Sequence, residues 1–154
     1  DLARSFEVTQ HAQHTVFAAL ADQDVDLRGI VLKPSMVISG ADAADRAGIK
    51  AVAQETLRCL LSTVPAAVPG IAFLSGGQSD EEATQHLNAM NEIGGSLPWA
   101  VTFSYGRALQ AAAMKQWAGH TDNVESARQV AFHRAQMNGA AALGQYSSEM
   151  EKAA

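Results

Sequence analysis

The sequence predicts an α/β fold on a parallel sheet, and two observations carry that prediction. Short, continuous apolar runs, each stopped by proline or glycine, recur along the chain. Between them lie segments of about ten residues or more whose apolar positions repeat with the period of an α-helix. Strands separated by such helices demand right-handed parallel crossovers, a cadence that suits either a β/α barrel or a doubly wound sheet.

Taken in order, Asp1 to about Ala21 lacks Gly and Pro and places Leu2, Phe6, Val16, Phe17 and Leu20 at mostly helical spacing. After a charged turn, Ile30-Val31-Leu32-Lys33-Pro34 reads as a buried strand that its proline ends. From about Ala41 to Thr63, the positions of Ile49, Val52, Ala53, Thr56, Leu57 and Leu60 predict an amphipathic helix. Ile71 to Ser75 is a second buried strand, introduced by Pro69-Gly70 and closed by Gly76-Gly77. Ser79 and Glu82 have capping-box spacing, and a helix is expected from there to about Glu92. Pro98 to Phe103 is the third strand, and Ser104-Tyr105-Gly106-Arg107 leads into a helix ending near Trp117. A last helix is expected from about Asn123 to Asn138, with Ala127, Val130 and Ala131 facing inward. The tail, residues 139–154, is small and polar enough to be mobile.

Length bounds the fold. A complete eight-stranded β/α barrel needs about 250 residues, and this chain has 154, so any barrel in it is partial. With 47% hydrophobic and 18% charged residues the composition is that of a globular protein, with no apolar run of membrane-spanning length. A net charge of -5 creates no basic field for nucleic acid or anionic lipid. An anionic ligand would have to be caught by local groups. One cysteine, Cys59, cannot form an internal disulfide, and no charged and apolar leader pattern opens the sequence, so the expected compartment is the cytoplasm.

Chemistry must choose between the two architectures. The sequence has neither the glycine fingerprint of a dinucleotide fold nor a P-loop. Barrel enzymes carry their functional residues at the C-terminal ends of strands and often hold phosphate after the last two. Lys33, Ser75-Gly76-Gly77 and Ser104-Tyr105-Gly106-Arg107 occupy such ends. Burial at the end of an apolar strand would disfavour the charged form of Lys33, and a neutral amine can attack a carbonyl to give an electron-withdrawing iminium. The same position also suits a lysine that snorkels to solvent or meets a carboxylate. Around Ser75 and Gly76, a hydroxyl, close-approach glycines and a helix N-terminus could cradle phosphate, or form only a turn and a capped helix. Ser104, Gly106 and Arg107 repeat those elements and add a guanidinium able to grip phosphate in bidentate fashion, or to pair on the surface. His11 and His14 share a helix face without a third ligand, so no metal is assigned. His86, His120 and His133 are scattered, and Trp99 and Trp117 read as packing residues.

Three strings carry a family resemblance: Gly29-Ile30-Val31-Leu32-Lys33-Pro34-Ser35-Met36-Val37, Val64 through Ser79, and Pro98 through Gln110. Together with Ala141 to Tyr146, in that order, they resemble the C-terminal half of class I (Schiff-base) fructose-bisphosphate aldolase. The resemblance implies strands six to eight of a TIM (β/α)8 barrel over residues 1–138, followed by a C-terminal tail. It implies Lys33 as the Schiff-base lysine and Ser75, Gly76, Ser104, Gly106 and Arg107 as phosphate ligands. The implied reaction is reversible cleavage of fructose 1,6-bisphosphate to dihydroxyacetone phosphate and glyceraldehyde 3-phosphate, without metal or cofactor, in a homotetramer. The family's acid/base glutamate and the residues of its first four strands fall upstream of Asp1, so the partner that completes the site is the N-terminal half of the barrel. Ser35 stands where the family usually has Asn, Gly40-Ala41-Asp42 replaces Gly-His-Ala, and the chain ends without a tyrosine. A bacterial-type member is expected. The alternative expectation is an inactive phosphate-binding or self-assembling fragment, because three strands leave open edges and an uncovered interior.

Overall fold

A computed structural model describes residues 1–153; Ala154, the last residue of the expected tail, lies outside them. Helix α1 (Leu2–Asp22) opens the chain, its first turn capped by the Asp1 carboxylate, which accepts from the Arg4 amide at 2.9 Å. It turns Phe6, Gln13 and Phe17 inward. Strand β1 (Val31–Leu32), helix α2 (Ile49–Thr63), strand β2 (Gly70–Phe73), helix α3 (Asp80–Ile93), strand β3 (Ala100–Phe103) and helix α4 (Arg107–Trp117) then alternate. Helix α5 (Val124–Ala142) follows, and a 3-10 segment spans Ser148–Ala153. The strands form a parallel sheet in the order β1-β2-β3, with Leu32 beside Ile71 and Ile71 beside Val101. The expected α/β fold with a three-stranded parallel sheet is therefore present.

One sheet face is covered and the other is not. Ile71 and Phe73 are fully buried and Val101 nearly so, packed with Val52, Leu57 and Leu60 of α2 and Leu87 and Met90 of α3. Burying each such side chain contributes roughly 1.5–3 kcal/mol, which ties the helices to this face. The alternate residues Val31 and Ala100 are exposed.

The strand ends shift by one or two residues, and two boundaries differ from the expectation by more. Helix α2 begins at Ile49, not near Ala41, because residues 40–48 are held as a loop by their own bonds. The Ala43 amide closes a turn on the Gly40 carbonyl at 3.1 Å, Ser39 Oγ accepts from the Ala47 amide at 3.1 Å, and Gly48 caps the helix. The apolar stripe also starts only at Ile49. At the other end, α5 continues to Ala142 rather than about Asn138, and the chain after it packs back. Gly144 turns at φ +66°, and buried Tyr146 donates its amide to Asn88 Oδ1 at 2.9 Å. Glu151 accepts from buried Arg134 at 2.6 and 2.7 Å and lies 2.9 Å from His133 Nε2. Burial pushes the Glu151 carboxyl up, but the bonds from Arg134 and His133 outweigh it and hold the group below the usual carboxylate range.

Candidate functional site

The C-terminal ends of all three strands lie together at one edge of the sheet. Hydrogen bonds continue past the strands: the Leu74 amide donates to the Pro34 carbonyl at 3.1 Å, and the Ser104 amide to the Phe73 carbonyl at 2.8 Å. The three loops that follow are thus drawn side by side. Tyr105 anchors the third from beneath, its buried hydroxyl donating to the Ala83 carbonyl of α3 at 2.9 Å.

Ser75 is buried, and its Oγ accepts from the Ala108 amide in the first turn of α4 at 3.4 Å. That bond joins the loop after β2 to the loop after β3. Arg107, the first residue of α4, places Nη2 4.0 Å from where a Cβ on Gly76 would stand. A side chain at Gly76 would also press Leu74 Cδ1 at 3.1 Å, and Gly77 adopts φ +77°, a left-handed conformation that favours glycine. Ser75, Gly76 and Arg107 therefore converge. Arg107 is exposed and has no ion-pair partner among the described residues. Its guanidinium stands at the N-terminus of α4, where Gly106 offers no side chain to cap the helix and Ser75 Oγ takes up the Ala108 amide. An unpaired guanidinium, close-approach glycine backbone and the positive end of a helix are the parts of an anion site.

The two helix starts differ. Asp80, Glu81 and Glu82 load the first turn of α3 with negative charge, and the expected capping box is formed: Ser79 Oγ accepts from the Glu82 amide at 3.1 Å and Glu82 Oε2 from the Ser79 amide at 3.2 Å. An anion is repelled there. Of these two starts, α4 carries no acidic residue in its first turn, whereas the helix N-terminus after Ser75, which the sequence offers as a cradle, is already satisfied by its own residues.

Lys33 directly follows β1 and, by strand alternation, shares the open face with Val31. It is exposed, at the mouth of a groove of about 320 Å³ lined by Gln13, Phe17, Pro34 and Ser35 among others. The burial on which its sequence reading rested is not supplied by this chain. His11 and His14 are exposed, and burial pushes the thiol of Cys59 up. Trp99 is buried and donates Nε1 to the Pro65 carbonyl at 3.1 Å, while Trp117 is half-exposed beside a groove between α4 and α5.

Sequence reading overlooked two residues that brace the loop after β2. Arg46, from the 40–48 loop, donates from Nη2 to the Gly77 carbonyl at 2.9 Å and lies 3.4 Å from Glu82. Fully buried His86 of α3 places Nδ1 2.6 Å from Gln78 Oε1. The legible signal was a polar side chain on the stripe formed by Ala83, Leu87 and Met90.

Comparison with known proteins supplies the context. The family model described as fructose-bisphosphate aldolase class-I matches residues 1–154. A probable fructose-bisphosphate aldolase class 1 of Xanthomonas axonopodis pv. citri is 52% identical over 147 residues, which are 95% of this chain and 44% of that protein. A chloroplastic fructose-bisphosphate aldolase of Oryza sativa subsp. japonica is 49% identical over 150 residues, covering 97% of this chain and 38% of its own. Fructose-bisphosphate aldolase from Plasmodium falciparum, solved in complex with TRAP and a small-molecule inhibitor, superposes with a TM-score of 0.93 at 44% identity, over 96% of this chain and 42% of that one. The chain thus spans less than half the length of these relatives. Among the described residues, no helix is long and apolar enough to cross a membrane.

Proposed function

The chain belongs to the class-I fructose-bisphosphate aldolase family, and from that premise we propose that it supplies strands six to eight of a (β/α)8 barrel, with the Schiff-base lysine and the phosphate grip. The complete enzyme reversibly cleaves fructose 1,6-bisphosphate to dihydroxyacetone phosphate and glyceraldehyde 3-phosphate in glycolysis and gluconeogenesis. The observation that carries the reading is the convergence of Arg107, Gly76 and Ser75 at the edge of the sheet where β1 also ends, just before Lys33.

In this mechanism the Lys33 amine adds to the ketose carbonyl carbon, and loss of water leaves an iminium. The electron pair of the adjacent C–C bond flows into that iminium as the bond breaks, giving an enamine on Lys33 and releasing the aldehyde. A carboxylate takes the hydroxyl proton of the departing aldehyde, and later protonation of the enamine and hydrolysis return free Lys33. That carboxylate comes from the upstream half of the barrel, so the 154 residues alone are inactive. Phosphate is held by Arg107 with the loop residues Ser75, Gly76, Ser104 and Gly106, Ser104 through its hydroxyl because its amide is committed to the Phe73 carbonyl, and this fixes the carbonyl against the amine. No metal or organic cofactor takes part. The working protein is a cytoplasmic homo-oligomer, a tetramer on the family resemblance; the single unpaired cysteine agrees with a reducing compartment, although the rice relative is named chloroplastic.

Joining the upstream portion of the Xanthomonas relative ahead of residue 1 provides a complete barrel for the test. Dihydroxyacetone phosphate with borohydride should add mass at Lys33, whereas Lys33→Ala should trap nothing and lower cleavage by roughly 10⁴-fold or more, the covalent route being gone. Equal trapping after Lys33→Ala would show the assignment to be wrong. A second reading, an inactive self-associating fragment, is favoured by the uncovered sheet face on which Val31 is 64% exposed. Light scattering on the 154-residue chain, with a cleavage assay after adding the upstream portion of the Xanthomonas relative as a separate polypeptide, separates the two.

A further inference from the structure

The geometry points to His86 as a positioning residue that holds the phosphate loop in place through Gln78, an inference that rests on the phosphate-site reading above. His86 is 1% exposed, on a face of α3 otherwise made of Ala83, Leu87 and Met90. A leucine would fill that face at less cost, because an imidazole buried there gives up its hydration. What the imidazole gains is one bond. Gln78 Oε1 can only accept, so the proton of the neutral ring sits on Nδ1 and is donated across 2.6 Å. The other ring nitrogen, Nε2, and Gln78 Nε2 are buried and have no partner among the described residues. The contact therefore stands by itself among the described residues in a buried site, where a hydrogen bond is strong and its loss is costly.

Gln78 belongs to the turn whose Gly76 faces Arg107, and its amide donates to the Ser75 carbonyl at 3.3 Å. Clamping its side chain fixes the backbone that presents Ser75 and Gly76. Burial, the dominant influence, brings the His86 pKa down to about 4; nearby Glu82 raises it and Arg46 lowers it. At neutral pH the ring stays uncharged and can keep the Nδ1 proton for Gln78.

The test uses the 154-residue chain, isotope-labelled, with inorganic phosphate as the probe and the Gly76, Gly77 and Gly106 amide signals as the readout. Arg107→Ala reports on the phosphate site itself. His86→Leu should weaken phosphate binding about fivefold, the size of one lost hydrogen bond, and Gln78→Met should do the same. His86→Asn, whose amide can stand in for Nδ1–H, should recover binding to within about twofold, a rescue that a purely space-filling role would not give. Melting temperatures of all variants separate lost fold from lost affinity. If Arg107→Ala abolishes the shifts while a folded His86→Leu or Gln78→Met binds like the parent, the inference about His86 is overturned and the phosphate site stands. If the parent shows no shifts, or Arg107→Ala leaves them unchanged, the phosphate reading fails and the inference falls with it.

Discussion

The two faces of one small sheet have opposite circumstances. Toward the helices, Ile71 and Phe73 are fully buried among side chains of α2 and α3, while on the other face Val31 is 64% exposed and Lys33 and Ala100 are also exposed. Parallel sheets are ordinarily covered on both sides. The covered face is complete within these residues and holds the fold together. The open face carries Lys33 and is not covered by any of the described residues; the chain spans 44% of the Xanthomonas relative. The packed core and the exposed Lys33 are thus divided between the faces, with the strand-end loops at the boundary.

The largest expected effect tests that division directly. Phe73→Ala should cost about 3–5 kcal/mol in denaturant unfolding of the chain, the range for emptying a buried aromatic site. Val31→Ser, on the open face of the neighbouring strand, should cost less than about 0.5 kcal/mol. The contrast breaks if Val31→Ser proves as costly as a core change. In that case the open face is buried in solution, by a second copy of the chain, and the self-associating reading gains.

How much of this was legible in the sequence follows the same line. The covered face was, because Ile71, Phe73 and Val101 lie in continuous apolar runs and Val52, Leu57 and Leu60 in a helical stripe, patterns set by local periodicity. Family strings and strand-end logic singled out Arg107 and Gly76, and the structure puts Arg107 Nη2 4.0 Å from where a Cβ on Gly76 would stand; their hold on phosphate is the proposal made above. Residues 41–48 were misread as helix because Ala and Asp residues carry no local stop signal, and Arg46 is held by contacts 31 and 36 positions away, at Gly77 and Glu82. The exposure of Lys33 was hidden too, since an apolar strand reads as buried whether or not the residues that bury it are in the chain. Tyr146 and Glu151 looked like a polar tail; their anchors, Asn88 and Arg134, lie on α3 and α5, beyond the reach of any window.

The next effect concerns that anchored segment. Arg134 is buried, donates to Glu151 and also to Thr84 Oγ1 at 2.6 Å, and its side chain is 5% exposed against 14% for Glu151. Glu151→Gln leaves the guanidinium without its counter-charge and should cost about 3 kcal/mol by urea unfolding. A cost below about 0.5 kcal/mol would mean that the segment contributes nothing to the covered side.

Acid provides a third, slightly smaller probe of the covered face. His86 binds its proton near 6.5 when unfolded and only at about 4 when folded, so between those values the unfolded chain holds more protons and stability rises with pH. The contribution is complete above about 6.5, is lost as pH falls toward 4, and amounts to roughly 2–3 kcal/mol. The groups that face the ring are Gln78, Glu82 and Arg46. Urea unfolding at several pH values should show the slope in the parent and lose most of it in His86→Leu. Below that window, protonation of Glu151, whose folded carboxyl titrates lower than usual, removes a further increment. A pH-independent parent between 4 and 6.5 would contradict the burial of His86.

The smallest expected effect lies at the boundary between the faces, in the capping box that begins α3. Ser79 Oγ and the Glu82 carboxylate exchange bonds with each other's amides at 3.1 and 3.2 Å, and Glu82 also lies 3.4 Å from Arg46, which reaches the Gly77 carbonyl at 2.9 Å. Ser79→Ala removes one cap acceptor and should cost about 1 kcal/mol, whereas Ser79→Asp keeps an acceptor and should cost less. The Arg46 contact is solvent-exposed, so Arg46→Ala alone should cost only about 0.5 kcal/mol. Both single changes loosen the same carboxylate, so the double variant should lose less than the sum of the two, a coupling that a double-mutant cycle in urea measures. Strict additivity would mean that Arg46 holds Gly77 independently of the helix cap, and that the strap from the loop after Lys33 and the start of α3 are separate devices.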